Sequence, residues 1–316
     1  MRRTLLFSLV LALCAALLGS GCAITADEGT PSSVRQDPGS GEPAAADVLA
    51  DIDADSRVVA LSRSVGELWL LAGGTLVGAT EDALDLPSIS GPEGVESIGS
   101  PSRPSVEQVL ALDPDLVMLT EDLPSHKEAR GALEDAGVPV LVVDVDSFDD
   151  YADVMARLTA TTGRDDLFER NVTAVAQQID QVLAGFARED RETYLALRTS
   201  STKNKVLKSD YFACDMLGDL GLSNVADDTS TLDDLSLEAI AAADPDWVFV
   251  IYQGEGAEAQ EAFEVAFRSN PVWSELRAVE QDHVVVLPKD LFQYKPNARW
   301  GEAYAYLSQV LHGAWA

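Results

Sequence analysis

Apolar positions along the chain fall into short continuous runs that alternate with amphipathic stretches. The runs predict buried strands in both halves of the chain, at Val58–Leu61, Leu76–Ala79, Leu116–Leu119, Val140–Val145, Thr193–Leu197, Trp247–Tyr252 and Val284–Leu287. Helical spacing predicts helices at Val65–Ala72, Lys127–Ala136, Tyr211–Leu220 and Asn297–Leu311. Such alternation is typical of an α/β fold with parallel sheets.

One helix–turn–strand unit occurs twice, at 104–119 and 235–250. Each copy has a serine suited to cap a helix, Ser105 or Ser236, followed by a short amphipathic helix, an Asp-Pro-Asp break and an apolar run. The duplication predicts two similar lobes, an N-terminal lobe at 56–150 and a C-terminal lobe at 191–316.

The segment between the lobes is predicted to be helical. Apolar residues keep helical spacing from Asp165 to Ala187 without a proline, which corresponds to a helix about 30 Å long. We therefore expect a bridging helical segment at 151–190. One helix joining two lobes hinders large hinge motion, because bending it breaks intrahelical hydrogen bonds.

The N-terminus has the pattern of an export signal. Arg2-Arg3 precede an apolar run, Leu5–Leu18, that is too short to span and remain in a membrane. The run leads into Gly19–Cys22, which resembles a bacterial lipobox with its leucine one position further from the cysteine than usual. The resemblance implies that residues 1–22 are a lipoprotein signal peptide and that Cys22 carries lipid; ordinary secretion is the alternative.

Composition adds a tether and excludes some partners. Residues 23–55 are rich in Gly, Pro, Ser, Ala and acids, which predicts a flexible tether. The chain has 22 basic and 53 acidic residues, a net charge of −31, and loss of Arg2 and Arg3 would make it −33. A charge of this sign repels nucleic acid and anionic lipid headgroups.

Taken in order, the motifs resemble the class of ABC-importer binding proteins that serve ferric siderophores, haem and cobalamin. The resemblance covers roughly Arg57 to Trp315. It is carried by Ser64–Gly74, both Ser-x-Glu…Asp-Pro-Asp copies, Asn270–Trp273 and His283–Pro288. It implies two Rossmann-like lobes joined by a single long helix, which is the class III periplasmic binding protein fold.

The resemblance also implies a function. The chain would be a lipid-anchored, extracytoplasmic protein that binds an iron complex (a ferric siderophore or haem) or a corrinoid between its lobes and delivers it to an ABC permease and ATPase. It would be a monomer, as is usual for this class, and not an enzyme. Docking to the permease would use one acidic residue on each lobe, Glu128 and either Glu258 or Glu261.

No resident cofactor or bare metal site is expected. The chain has three histidines, His126, His283 and His312, which are too few and too scattered for the His-rich sites of related zinc and manganese binders. Ligation of a haem iron by His126 or Tyr294 is left open.

Positive charge is concentrated where a ligand would lie, since α/β lobes bind ligands beyond the carboxyl ends of their strands. One group follows the first strand of the C-terminal lobe and a second group follows its last strand: Arg198, Lys203, Lys205 and Lys208, then Lys289, Lys295 and Arg299. Such clusters in an acidic chain predict an anionic ligand. The alternative is surface loops whose cations pair with nearby acids. Further ligand-binding candidates are Arg63, Arg103, Trp69, Tyr211 and Tyr294.

Two other function classes are weighed against this one. Ser200 and Lys203 fit the Ser-x-x-Lys pattern of penicillin-binding-type acyl-serine enzymes, but no Lys-Thr-Gly follows. A surface lipoprotein without a transport role is the other alternative, because fold does not fix function.

Overall fold

The computed structural model describes residues 48–86, 89, 94–186, 192–227, 232, 236–254 and 256–313. The predicted signal peptide, Cys22 and most of the predicted tether lie outside these residues. Within them, the long strands form two separate sheets, one from each half of the chain. Among the described helices, none is long and apolar enough to cross a membrane.

The N-terminal lobe has a parallel five-stranded sheet in the order β3-β2-β1-β6-β7, with a small antiparallel hairpin, β4-β5, beside it. Its strands are β1 Val58–Ala60, β2 Leu76–Ala79, β3 Glu96–Ser97, β4 Gly99–Ser100, β5 Arg103–Pro104, β6 Leu116–Leu119 and β7 Val140–Val142. Its helices are α1 Arg63–Leu71, α2 Glu81–Leu84, α3 Val106–Ala111 and α4 Pro124–Asp135.

Helices join the two sheets. α5 covers Phe148–Thr162 and begins with a capping box between Ser147 and Asp150. A continuous helical run follows, made of α6 Asp165–Phe168, a π-helical segment Glu169–Thr173 and α7 Ala174–Gly185. The predicted long helix is therefore present, and a second helix precedes it.

The C-terminal lobe has a five-stranded sheet in which β10-β8-β11-β12 are parallel and β9 pairs antiparallel with β8. Its strands are β8 Thr193–Thr199, β9 Asn204–Leu207, β10 Ser223–Asn224, β11 Trp247–Tyr252 and β12 Val284–Val286. Its helices are α8 Phe212–Asp219, α9 Leu237–Ala243, α10 Gly256–Phe263, a π-helical segment Glu264–Arg268, α11 Pro271–Ser274, α12 Arg277–Glu280, α13 Lys289–Phe292, a 3₁₀ turn Asn297–Arg299 and α14 Trp300–Leu311.

Alternation along the strands sorts apolar side chains into different cores. Val59 packs in a core on one face of the N-terminal sheet, and Val248 packs in a core on one face of the C-terminal sheet. Their neighbours Val58 and Phe249 point the other way, into one continuous core that we call the shared core. The shared core also contains Trp300 of α14, so both lobes bury apolar surface in the same cluster and are held together by it.

The duplicated unit has the same backbone in both lobes. The Ser105 and Ser236 side chains each accept a hydrogen bond from the backbone N–H three residues on, at 3.3 and 3.1 Å. The first aspartate of each Asp-Pro-Asp has a positive φ, 46° at Asp113 and 40° at Asp244. Asparagine and aspartate tolerate this left-handed conformation better than most residues, which explains an aspartate at both turns.

The last aspartate of each break fastens the start of a neighbouring strand. Asp115 accepts a hydrogen bond from the backbone N–H of Arg57 at 2.7 Å, and Asp246 accepts one from the backbone N–H of Thr193 at 2.8 Å. The two copies therefore play the same structural part in the two lobes.

The packed chain begins earlier than the predicted tether boundary at residue 55. Leu49 and Ile52 are buried and belong to the shared core. These two apolar residues lie three positions apart, so one turn of chain places both in the shared core.

Candidate ligand-binding site

A cavity of about 370 Å³ lies where the carboxyl ends of both sheets meet. In each sheet, the strands on one side of this point follow the chain in one direction and those on the other side follow it in the opposite direction. The switch lies between β1 and β6 in the N-terminal sheet and between β8 and β11 in the C-terminal sheet. This is the position at which α/β proteins bind ligands. The residues after these strands line the cavity, among them Ser62, Ser64, Thr120, Asp122, Gln253 and Gly254.

A second cavity of about 440 Å³ adjoins the first and shares Asp122, Arg198, Tyr211 and Lys295 with it. We call it the basic cavity, because Lys203, Lys205 and Lys208 also line it. The two cavities together are called the cleft. All four cations of the first predicted group thus lie on the wall of the basic cavity, and Arg198 lies on the wall of both cavities.

The basic segment forms a β-hairpin, whereas the sequence predicted a loop. In the register of β8 and β9, Arg198 lies opposite Lys205. The guanidinium of Arg198 lies 5.9 Å from the ring centre of Tyr211, and no carboxylate among the described residues pairs with it. The Tyr211 hydroxyl donates a 2.7 Å hydrogen bond to the Phe292 carbonyl oxygen, and burial raises the pKa of Tyr211 above its usual value.

Two cations lie close to the Tyr294 ring. The Arg63 guanidinium is 5.0 Å from its ring centre and the Lys289 ammonium is 5.6 Å from it. Arg63 also donates a 3.2 Å hydrogen bond to the Asp82 carbonyl oxygen, which fixes it beside the cavity. Tyr294 lines the first cavity with these two cations close to its ring, although neither Arg63 nor Lys289 lines either cavity itself.

Residues 293–297 run from the C-terminal lobe onto α1 of the N-terminal lobe, and we call them the crossing segment. The Lys295 N–H donates to Ser64 Oγ at 3.1 Å. The Asn297 side-chain amide donates to the Ser64 carbonyl at 3.0 Å and to Glu67 Oε2 at 2.8 Å. Burial raises the pKa of Glu67. The same segment thus ties the lobes together and forms one wall of the cleft.

Several buried polar atoms on the cleft wall have no hydrogen-bond partner among the described residues. They are Ser62 Oγ, Gln293 Oε1 and Asn297 Oδ1 at the first cavity and Asn204 Oδ1 at the basic cavity. Buried polar atoms without a partner are rare in folded proteins and costly, so these four atoms are available to hydrogen-bond a bound molecule.

Carboxylates of the N-terminal lobe face the cations. The Lys295 ammonium lies 2.9 Å from Asp146 and 3.7 Å from Asp122. Burial, with the charges of Asp146 and Asp122, raises the pKa of the neighbouring Asp144. The N-terminal rim is therefore acidic and the C-terminal wall basic.

Some predicted site residues lie elsewhere. Trp69 is fully buried in the shared core and donates its ring N–H to the Thr75 carbonyl oxygen at 2.8 Å, so it is a core residue. Arg103 is exposed on β5 and does not line either cavity. Arg299 also lines neither cavity, and its Nε and Nη2 both donate to the Glu302 carboxylate at 2.7 Å.

His126 is inaccessible to a haem iron. It is fully buried, its Nδ1 lies 3.0 Å from the Thr120 carbonyl oxygen, and burial lowers its pKa. Among the described residues, no group of three or more His, Cys, Asp or Glu side chains is arranged to hold a metal ion.

The remaining predicted residues are on the outside or in the hairpin turn. Glu128 is exposed on α4, and Glu258 and Glu261 are exposed on α10, each on the helix that follows the strand of a repeat. Ser200 lies in the turn between β8 and β9, where its hydroxyl donates to the Lys203 carbonyl oxygen at 2.9 Å. A catalytic Ser-x-x-Lys serine would open a helix, which this one does not.

Sequence reasoning missed several cavity residues. Ser62, Thr120 and Gln253 are among the first polar residues after predicted strands, so the rule on carboxyl ends could have found them. Gln293 and Asn297 carry no such signal, because their position depends on where the crossing segment meets the other lobe.

Comparisons with known proteins agree with this architecture. The family model described as periplasmic binding protein matches residues 58–291. The iron-uptake system-binding protein of Bacillus subtilis is 24% identical over 215 residues, which cover 66% of this chain and 65% of that protein. A putative ABC transporter substrate-binding lipoprotein of the same organism is 22% identical, over 72% of this chain and 74% of its own.

A solved structure shares the fold. The ABC transporter substrate-binding protein of Listeria monocytogenes EGD-e superposes with a TM-score of 0.69 at 23% identity, over 81% of this chain and 98% of that one. At this identity the likeness concerns the fold alone.

Proposed function

Because the chain belongs to the periplasmic binding protein family, we propose that it captures an anionic iron complex in the cleft and delivers it to an ABC importer. The observation that carries the proposal is the basic wall: Arg198 and Lys205 lie in register at the carboxyl end of β8, with no carboxylate paired to either among the described residues. Cations in a partly desolvated cleft bind carboxylates, catecholates or phosphates strongly.

The metal would arrive as part of the cargo. Besides its aspartates, the cleft wall offers cations, hydroxyls and amides, which suit outer contacts to a complex whose own donors already surround the iron. The similarity to an iron-uptake binding protein supports iron rather than cobalt. Haem, with two carboxylates on a planar ring, is a second candidate, because Tyr294 lines the cavity and two cations, Arg63 and Lys289, lie close to its ring.

Export, anchoring and docking complete the proposal. Arg2-Arg3, the apolar run after them and Cys22 would export the chain and fix it by lipid to the outer face of the cell membrane. The protein would act as a monomer, and Glu128 with Glu258 or Glu261 would meet basic residues of the permease. Their matched places after the two repeat strands support this pairing.

A fluorescence titration of the full-length protein in detergent tests the function, using its five tryptophans. The probes are ferric citrate, the iron(III) complex of 2,3-dihydroxybenzoate, haemin and the electrically neutral corrinoid cyanocobalamin. We expect saturable quenching by an anionic iron complex, with an affinity that falls as salt is added.

Two variants with the same loss of charge sharpen the test. Arg198→Ala should weaken binding about tenfold or more. Arg268→Ala should leave it unchanged, because Arg268 is exposed and pairs with Glu264 outside the cleft. Lack of response to every iron complex would contradict the proposal, and labelling of Ser200 by a penicillin probe would favour the enzyme instead.

A further inference from the structure

Lys295 connects the two lobes at the point where the two cavities meet. Its ammonium lies 2.9 Å from Asp146 Oδ1 and 3.7 Å from Asp122 Oδ2, and its side chain is 17% exposed. Its backbone N–H is held by Ser64, and its ammonium also lies 5.1 Å from the ring centre of Phe212. The position of this cation is therefore set by the crossing segment and the shared wall.

The two carboxylates are less enclosed than the lysine. Asp146 is 43% exposed and Asp122 is 54% exposed, and both follow strands of the N-terminal sheet. Within the described part of the chain, the Asp146 carboxylate makes its one hydrogen bond to the Lys295 ammonium. Asp146 can consequently turn away from Lys295 without breaking another hydrogen bond.

Two carboxylates pair with this lysine, and a third, Asp144, lies near them. Asp144 lies close enough to Asp146 and Asp122 for their charges to raise its pKa. An anionic group that reaches Lys295 from the cleft must therefore displace a carboxylate and remain near the others. Displacing one carboxylate and lying near the others both reduce the affinity that Arg198 and the lysines of the basic cavity would otherwise give.

We propose that Asp146 is an internal competitor for Lys295, which sets the affinity of the cleft for anionic ligands. This inference rests on the proposed function. An incoming carboxylate or catecholate oxygen takes the place of Asp146 on the Lys295 ammonium. When the ligand leaves, Asp146 returns to Lys295, so the cation is never left unpaired in a half-buried position. The exchange limits the affinity and eases release to the permease.

Removal of the competitor should tighten binding. Asp146→Asn, titrated as full-length protein with the iron complex that binds the natural chain best, should lower Kd about three- to tenfold, because a partly exposed ion pair no longer has to be broken. The matched control is Asp153→Asn, which removes the same charge from an exposed position on α5 and should leave Kd unchanged.

A double-variant cycle identifies Lys295 as the shared partner. Lys295→Ala should weaken binding, and Asp146→Asn should bring no gain in the Lys295→Ala background. The inference is overturned if Asp146→Asn binds no tighter than the natural chain. It is also overturned if the gain in affinity persists in the Lys295→Ala background, since the gain would then come from the general loss of negative charge and not from Lys295. If the natural chain binds none of the iron complexes, the proposed function fails and this inference fails with it.

Discussion

Arg198 and Lys205 lie directly opposite each other across the β8–β9 hairpin, with neither paired to a carboxylate among the described residues. Two like charges in register destabilise an antiparallel pair. Ala196 and Leu207, the next pair on the same face, are buried in the shared core, so the two cations lie at the edge of that core. An arrangement that costs stability at a cleft is explained by a ligand that neutralises it.

Replacing Lys205 should therefore separate stability from binding. Lys205→Thr keeps a good strand residue and removes the repulsion, so the free energy of unfolding should rise by about 0.5 kcal/mol. The same variant should bind an anionic iron complex several-fold more weakly. Chemical unfolding and fluorescence titration of one preparation measure both effects.

The outcome also decides between two roles for the lysine. Lysines on an edge strand such as β9 can serve to prevent pairing with other chains. If Lys205→Thr keeps full affinity and only becomes prone to aggregate, protection of the edge is its role and the ligand contact is wrong.

The crossing segment should be sensitive at Asn297. This side chain is fully buried, has a φ of 50° and donates to Ser64 and Glu67. Asn297→Ala should lower the free energy of unfolding by roughly 2–3 kcal/mol, because two hydrogen bonds are lost and alanine is strained at this φ. Ligand affinity should fall too, since Tyr294 and Lys295 are held by the same segment.

Asn297→Gly is the matched control in urea unfolding. Glycine loses the same hydrogen bonds but adopts a positive φ without strain, so it should be destabilised about 1 kcal/mol less than alanine. Equal stability of the natural chain and both variants would show that the tie between Asn297 and α1 contributes nothing.

Acid should stabilise the region around Asp215. Burial, with the charges of Asp219 and other aspartates, raises the pKa of Asp215 to about 6. A carboxyl group whose pKa is raised in the folded state lowers the free energy of unfolding at pH values above that pKa. This loss of stability disappears as the pH falls from 6 towards the pKa of the unfolded chain, which is about 4. Asp215→Asn should raise the free energy of unfolding at pH 7.5 by about 1 kcal/mol, a figure reduced for partial exposure.

Thermal unfolding at two pH values checks this sign. The advantage of Asp215→Asn over the natural chain should be fully present at pH 7.5 and fall to about a third of that size at pH 4.5, with Asp153→Asn as the control for a general loss of charge. A gain of equal size at both pH values would be incompatible with titration of Asp215.

Lipidation has a simple test at the cysteines. In a bacterial host fed labelled palmitate, Cys22→Ala should lose the lipid label and its membrane attachment, whereas Cys214→Ala should keep both because Cys214 is buried. Retention of label by Cys22→Ala would place the modification elsewhere.

The sequence predicted the sheets well because their strands carry a strong signal. Val58, Leu116 and Trp247 begin apolar runs that are buried on both faces of a parallel sheet, and such runs are readable without knowledge of the neighbours. The repeated Asp-Pro-Asp added a second, independent sign that two lobes exist.

The site was less readable because it depends on contacts between distant segments. β9 was missed since its lysines conceal a strand that is specified by pairing with β8. Trp69 was wrongly predicted to contact the ligand, because helical spacing alone does not show whether an aromatic side chain faces a cavity or the core. The bond between Asn297 and Glu67 joins residues that only the folded lobes bring together.

The most direct measurement is a crystal structure of the protein with a bound iron complex, in which anomalous scattering locates the iron. The account predicts an iron peak between the carboxyl ends of the two sheets, with anionic groups of the complex within hydrogen-bond distance of Arg198 and Lys295. An iron peak outside the space between the lobes, or a ligand in the cleft that contacts neither cation, would contradict it.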